Sequence, residues 1–316
     1  MFTVETSMRL DAFLAKNASF VSRVKATDAV RAGLVTVNGR IARKGALVLE
    51  IGDIVVVSDS GIPLTETLLT PVDLHLPVLF EDAACIVINK PAGISVHPAA
   101  GIPRAAPTIL HGAAFLLQER GLPFSQSAVL AHRLDKDTTG CLLLAKNADA
   151  HALLQKQFAD RTIDKRYLAL VAGVPSPPAA MIDAPIGRHS GDRKKMAVLH
   201  AVQNRREAQT TYRTLHVSTD HDAALLECEL HTGRTHQLRV HLKSIGYPIL
   251  GDSTYFSHTS EDVSNKYAMH ALMLHAMSLQ FASPADGKKQ KIQCPPPDLF
   301  CAALNVLNIT FATPIV

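Results

Sequence analysis

The ten residues Ala131-His132-Arg133-Leu134-Asp135-Lys136-Asp137-Thr138-Thr139-Gly140 constrain this chain more than any other stretch. Apolar Ala128-Val129-Leu130 leads in and Cys141-Leu142-Leu143-Leu144-Ala145 leads out, which predicts strand, loop, strand. The loop carries two carboxylates, Asp135 and Asp137, among Arg133, Lys136 and the more distant Lys146. Loops set on a rigid sheet are where reacting groups sit, although local composition alone also suits a charged surface hairpin. Arg133 and Asp135 share a face in extended chain, and Asp137 is expected to hydrogen-bond within the loop.

Length enters next, because 316 residues is long for one domain and predicts two. At 47% hydrophobic and 19% charged, the chain can bury sizeable cores. With no Trp and five Tyr, a nucleic-acid surface built on many stacking rings is excluded, and each Tyr counts for more. The net charge of +4 is modest but clustered. Eight Lys or Arg lie from Arg9 to Lys44 against Asp11 and Asp28, and seven from Arg188 to Arg213 against Asp192 and Glu207. Such clusters suit a polyanion. The five cysteines are scattered without a CxxC pair, which predicts a reducing compartment and no zinc finger. No secretory leader pattern and no 18-residue apolar run is found, so a soluble, cytoplasmic protein without a membrane partner is expected.

Leu10, Phe13 and Leu14 form a helical stripe, and a second helix is predicted from about Ser22 to Ala32, stopped by Gly33. A strand then enters the Asn38-Gly39 turn, and Ile54-Val55-Val56-Val57 closes a small α+β unit. Arg-Leu-Asp-x-x-Leu (9–14), the basic second helix, Gly-Leu-Val-x-Val-Asn-Gly (33–39) and Gly-Asp-x-Val (52–55) resemble an S4 RNA-binding domain. That resemblance implies phosphate contacts to structured RNA, with Arg9, Arg23, Lys25, Arg31 and Arg40 as candidates. The expected division is an S4-like domain at 1–60, a Pro- and Thr-containing linker at 61–75, and a second domain at 76–316. In the second domain, strands and helices alternate without strict βαβ rhythm. The expectation is an α+β fold with a mixed, mostly antiparallel sheet flanked by helices and loops. The Ser/Thr-rich stretch to Asn265 is expected as a loop.

Three segments of that domain offer chemistry: the loop at 132–140, Lys165-Arg166-Tyr167, and His231-Thr232-Gly233-Arg234-Thr235-His236-Gln237-Leu238-Arg239. Asp135 with Asp137 supports a glycosidase pair only weakly. His231, His236 and His241 are spaced by five, which suits neither a helix face nor a strand face for a metal. No Gly-x-Ser-x-Gly elbow is present. One Asp with an Arg and a Tyr suits nucleophilic carboxylate chemistry on a nucleoside, the guanidinium keeping the carboxylate ionised.

His-Arg-Leu-Asp-Lys-Asp-Thr-Thr-Gly (132–140) resembles the signature of the RluA family of pseudouridine synthases. Asn-Lys-Pro-Ala-Gly-x-x-x-His (89–97), Arg-x-Ile-x-Lys-x-Tyr (161–167), Thr-Gly-Arg-Thr-His-Gln-Leu-Arg-Val-His (232–241) and Gly-Tyr-Pro-Ile-Leu-Gly-Asp-x-x-Tyr (246–255) follow in family order. The resemblance implies an enzyme without metal or cofactor, in which Asp135 attacks a target uridine. Tyr167 would stack on the uracil and serve as general base, and Arg234 would pair with Asp135. Arg133 would enter the RNA where the uridine leaves the stack, and Leu238 would form the apolar wall. Lys90, His97 and His132 are the other expected substrate or RNA contacts. The expected target is large-subunit (23S) rRNA, bound by a monomer. The alternatives are a tRNA pseudouridine synthase of the same family and a non-catalytic, ribosome-associated RNA-binding protein.

Overall fold

The computed structural model describes residues 1–17, 23–31, 33–58, 69–98, 106–192, 195–198 and 205–311, and at 23–25 and 28 the backbone alone. Two compact units result, Met1–Leu68 and Leu69–Val316.

The first unit contains β1 (Phe2–Thr3), β2 (Met8–Arg9), α1 (Leu10–Asn17), α2 (Arg23–Arg31), β3 (Val35–Val37), β4 (Arg40–Ile41), β5 (Val48–Leu49) and β6 (Ile54–Val57). Leu10, Phe13 and Leu14 are buried, as their helical spacing predicts, and share a core with Ala29, Val30, Val35 and Val55. Asn38 and Gly39 adopt φ of 50° and 75°, the left-handed pair that a tight hairpin between β3 and β4 needs.

The second unit is built on β7 (Val78–Glu81), β8 (Cys85–Lys90), β9 (Thr139–Ala145), β10 (Asp164–Ala172), β11 (Ala179–Asp183), β12 (Ile186–Arg188), β13 (Met196–Val198), β14 (Gln209–Val217), β15 (Ala223–Leu230), β16 (Leu274–Ala282) and β17 (Lys289–Gln293). Its helices are α3 (Ile109–Glu119), α4 (Ala148–Ala159), α5 (Gln237–Ser244), α6 (His258–Lys266) and α7 (Asp298–Val306). Nine strands form one sheet in the order β11-β14-β15-β10-β16-β9-β8-β7, with β17 also paired to β16. Every pairing is antiparallel except β9 with β16, which gives the mixed, mostly antiparallel α+β sheet expected.

Strand periodicity sorts the core into two layers. Cys85, Val87, Cys141 and Leu143 face α4 and Leu154, while Ile86, Ile88, Leu142 and Leu144 face α3 and its Ile109 and Leu110. Asn147 caps α4 by accepting a 2.8 Å bond from the Ala150 N–H.

Three expectations are corrected. Ala128–Leu130 forms no strand, because it meets the sheet only through a bridge of Leu130 to Leu144 and a bond from the Ala145 N–H to the Val129 carbonyl. The Ser/Thr-rich stretch is the helix α6, nucleated by a capping box between Ser257 and Ser260. Residues 69–75 of the expected linker belong to the second unit, where the Val72 N–H bonds the His111 carbonyl and Leu69 and Leu74 pack on the core. Its remainder, 61–68, lies outside the described residues.

The parallel contact decides where the loop at 132–138 ends. Gly140 has φ of 108° and lies against β16 so closely that an added Cβ would stand 2.2 Å from the Ala276 carbonyl oxygen. On the other edge of β16, the register with β10 slips between Arg166/Ser278 and Leu168/His275, a bulge opposite Tyr167. Gly140→Ala should therefore cost at least about 2 kcal/mol, from left-handed strain plus a clash with backbone. Gly287→Ala is the control, since Gly287 has φ of 73° with nothing within 4 Å of an added Cβ. Equal losses for the two in urea unfolding would show that the close approach does not matter.

Candidate active site

Asp135 stands in a loop tied at four points. Leu134 is buried beneath it, and the His132 Nε2 accepts a 2.8 Å bond from the Leu143 N–H of β9. The Thr139 hydroxyl meets the His275 Nδ1 at 2.8 Å. The fourth tie is Lys90, whose ammonium donates to the carbonyls of Pro91, Lys136 and Thr138 at 2.7, 2.8 and 2.9 Å. Three acceptors need three N–H groups, which only the charged amine has. Burial lowers the Lys90 pKa to about 8, against the opposing charges of Asp137 and Asp135, so the ammonium persists at neutral pH.

Lys90, an expected substrate contact, is enclosed by the fold, which corrects that expectation, while His132 lines the cavity. Lys90 is 0% exposed with every proton committed, and His132 is committed to Leu143 and stacked on Phe158 at 4.8 Å. Both fix the loop, Lys90 from within the core and His132 from the cavity wall. Asp137 is exposed and makes no hydrogen bond with a described residue, so its effect on Lys90 is through charge alone.

The cation beside Asp135 is Arg239. Its Nη1 stands 3.4 Å from the Asp135 Oδ2, while its Nε and Nη2 both bond Asp252 at 2.7 Å. Burial alone would lower the Arg239 pKa, but the bonds and charge of Asp252, with Asp135, raise it above its ordinary value. Asp252 is oriented in turn by the N–H groups of Thr254 and Tyr255. Gly251 makes this turn possible, with φ of 70° and an added Cβ only 1.8 Å from the Ala271 oxygen.

Arg234, expected as that partner, is placed elsewhere. The Gln237 Oε1 accepts from the Thr232 hydroxyl at 2.8 Å and from the Arg234 N–H at 2.9 Å. The Gln237 amide donates to the Gln209 carbonyl and the Thr210 hydroxyl of β14, each at 3.0 Å. This locks the 232–234 turn to the sheet, and the Arg234 Nε bonds the Glu207 carbonyl at 2.9 Å. The sequence signal for Arg239 was an acid with no stated partner, Asp252, in a quoted motif.

His236 opens α5 with φ of 57°. The Met196 N–H donates to the Tyr255 oxygen at 2.8 Å, so the Tyr255 hydroxyl proton is free to bond the His236 Nδ1 at 2.7 Å. Burial lowers the His236 pKa and keeps the ring neutral. With Nδ1 accepting, its one proton sits on Nε2, 4.0 Å from the Asp135 Oδ1. Thus Asp135 has a guanidinium N–H at one oxygen and an imidazole N–H approaching the other.

These groups line a cavity of about 420 Å³, a size suited to a nucleoside-scale ligand. Among the described residues that line it, Asp135 is the only carboxylate. Tyr167 and Leu238 supply apolar surface, and Arg133 is an exposed cation at the cavity without a hydrogen bond or ion pair to a described residue. His97 is exposed at its surface, and partial loss of solvent around its ring, with the Arg133 charge, lowers its pKa. Burial and the Asp135 charge raise the Tyr167 phenol above its ordinary pKa. In the first unit, Arg9 pairs with Asp11 at 2.7 Å, and Arg31 and Arg40 are exposed. The side chains of Arg23 and Lys25 lie outside the described residues.

Burial holds the His132 pKa down at about 3, so the fold excludes a proton that the unfolded chain takes up below 6.5. Its contribution is complete above pH 6.5 and is lost as pH falls towards 3. Wild type should lose stability on acidification more steeply than His132→Gln, by up to about 1.4 kcal/mol per pH unit. Parallel slopes in urea titrations across that window would count against a neutral, committed His132.

Comparison with known proteins agrees with this geometry. The family model described as RNA pseudouridylate synthase matches residues 84–244, and the S4 domain model matches residues 8–55. The chain is 38% identical over 294 residues to "Ribosomal large subunit pseudouridine synthase D" of Zymomonas mobilis, covering 89% of this chain and 88% of the relative. It is 34% identical over 353 residues to "RNA pseudouridine synthase 2, chloroplastic" of Arabidopsis thaliana, covering 95% and 80%. Among solved structures, "Human RNA Pseudouridylate Synthase Domain Containing 4" is similar with a TM-score of 0.60 and 29% identity, covering 74% of this chain and 94% of that one. A cavity with a single, doubly approached carboxylate, inside the matched segment of a chain so similar to these enzymes, identifies a member of the RNA pseudouridine synthase family carrying an S4 domain.

Proposed function

We propose that Asp135 is the nucleophile of this pseudouridine synthase and that the substrate uridine lies in the 420 Å³ cavity. What carries the reading is that Asp135 is the only carboxylate among the described lining residues, fixed by Lys90 and approached by Arg239 and His236. An N–H toward each oxygen steadies the carboxylate before attack, and a fixed loop lowers the cost of orientation. Attack at the ribose C1′ or at the base leaves Asp135 bonded to the substrate. The N1–C1′ bond breaks, the uracil turns, C5 bonds C1′, the C5 proton leaves, N1 takes up a proton in its place and the carboxylate is released, so the net change is isomerisation. The Tyr167 ring and Leu238 hold the uracil while it turns. A phenol raised in pKa carries its proton in the resting site, which suits Tyr167 as stacking wall and hydrogen-bond donor more than as a resting base. Arg133, exposed at the cavity, fills the place of the extruded uridine, an extrusion that costs a few kcal/mol.

The large ribosomal subunit RNA is the proposed target, supported by the S4 domain and by the name of the Zymomonas relative. Mapping pseudouridine in rRNA and tRNA from cells lacking the gene should reveal losses in large-subunit rRNA. Wild type should restore them and Asp135→Asn should not. Restoration by Asp135→Asn would remove the nucleophile assignment, and losses confined to tRNA would move the target. The basic first domain is proposed to hold RNA through phosphates. Removing residues 1–60 should therefore weaken RNA binding and flatten its dependence on salt, and an unchanged salt slope would reject that role.

A further inference from the structure

The cavity holds a second group of cations that the reaction does not use. Lys165 lies two residues before Tyr167 on β10, so both side chains point to one face, about 7 Å apart along the strand. Lys165 is 9% exposed and lines the cavity, yet its ammonium makes no hydrogen bond or ion pair with a described residue. Its one contact of note is the Phe158 ring, 5.9 Å from Nζ to the centroid. The ammonium keeps an opening to the cavity, and no protein partner explains its place there.

Its neighbours deepen the deficit. Arg161 and Arg234 line the same cavity. The neighbouring carboxylates are turned elsewhere: Asp164 bonds Arg166 at 3.2 Å, and the exposed Glu207 carboxylate stands 3.8 Å from Arg161. Burial lowers the Lys165 pKa to about 8, the charges of Arg161 and Arg234 press it further down, and Asp164 alone opposes them. Arg234 is lowered too, by burial and then by Arg206 and Arg161. Arg161 itself sits at φ of 58°, a conformation that costs a non-glycine residue energy and holds its side chain at this end of α4. Three cations that repel one another, with no acid paired to Lys165 and only the exposed Glu207 beside Arg161, are arranged for an anion that arrives with the ligand.

We infer that Lys165, with Arg161 and Arg234, forms a phosphate-binding subsite that grips a backbone phosphate of the nucleotide whose base rests on Tyr167. The inference rests on the reading that the substrate uridine occupies this cavity. It divides recognition within one pocket: Tyr167 and Leu238 take the base, Asp135 the reacting bond, and the Lys165 group the phosphate. Holding the phosphate fixes the nucleotide's backbone while the glycosidic bond is open, so that the detached uracil turns against a stationary ribose.

The test is titration calorimetry at low ionic strength with uridine, uridine 5′-monophosphate and uridine 3′-monophosphate. Wild type, Lys165→Met and Arg161→Met are compared. One monophosphate should bind wild type at least about ten-fold more tightly than uridine, with the advantage falling below about three-fold in Lys165→Met. The thermal midpoint of Lys165→Met should hold, because Lys165 makes no hydrogen bond or ion pair with a described residue. If that variant does not fold, Arg161→Met carries the comparison. Equal binding of all three ligands to wild type, failure of all three to bind included, overturns the subsite, as does an advantage that survives in both variants. Pseudouridine formation by wild type on RNA from the deletion strain is measured in parallel. Modification without a phosphate advantage rejects the subsite alone, and an advantage without modification rejects the reading of the reaction.

Discussion

One ammonium, that of Lys90, is what the site depends on. It is 0% exposed and bonds three carbonyls, two of them in the loop that carries Asp135. Each bond from a charged donor contributes about 1.5–3 kcal/mol, enough together to offset the cost of burying the charge. A loop peptide has many conformations of similar energy, and fixing each residue costs roughly 1–2 kcal/mol of entropy. Lys90 bears that cost at folding, so that it does not recur in each reaction. His132 and Thr139 repeat the device at the loop's two ends, one on β9 and one on β16.

Around this fixed point the charges divide by how well they are paired. Arg239 is forked onto Asp252 and reaches Asp135 with a third N–H, a fully compensated cation in a buried place. Neutral His236, its tautomer set by Tyr255 and the Met196 N–H, adds a donor without adding a charge. Such preorganised donors need no rearrangement as charge develops on the reacting atoms. The Lys165 group is the reverse: Lys165 has no hydrogen bond or ion pair with a described residue, and Arg161 has only an exposed carboxylate at 3.8 Å.

Much of this was legible from the chain, and the failures have physical causes. Periodicity found α1 and β8, the Asn38-Gly39 pair found its hairpin, and Asn147 found the start of α4, because each rests on contacts a few residues apart. The helix α6 was read as a loop because it has little apolar stripe, its start marked only by two serines. Arg234 and Arg239 stand five apart in one motif, and which meets Asp135 is decided by Gln237, whose partners are on β14. Lys90 looked like a substrate contact because charged residues are seldom fully buried. Its three acceptors include residues 46 and 48 positions away, a distance over which local pattern carries nothing.

The parallel contact between β9 and β16 also sets a schedule. Gly140 and Thr139 end the Asp135 loop against Ala276 and His275, residues 136 positions later in the chain. Contacts so distant in sequence form late and slowly, because a long loop must close before they return any energy. A growing polypeptide can therefore build the S4 domain and most of the antiparallel strands while the cavity's carboxylate, Asp135, still lacks its final seat. Competence comes only when β16 has been synthesised and docked. For an enzyme whose substrate class is RNA, that order ties the first turnover to the arrival of β16.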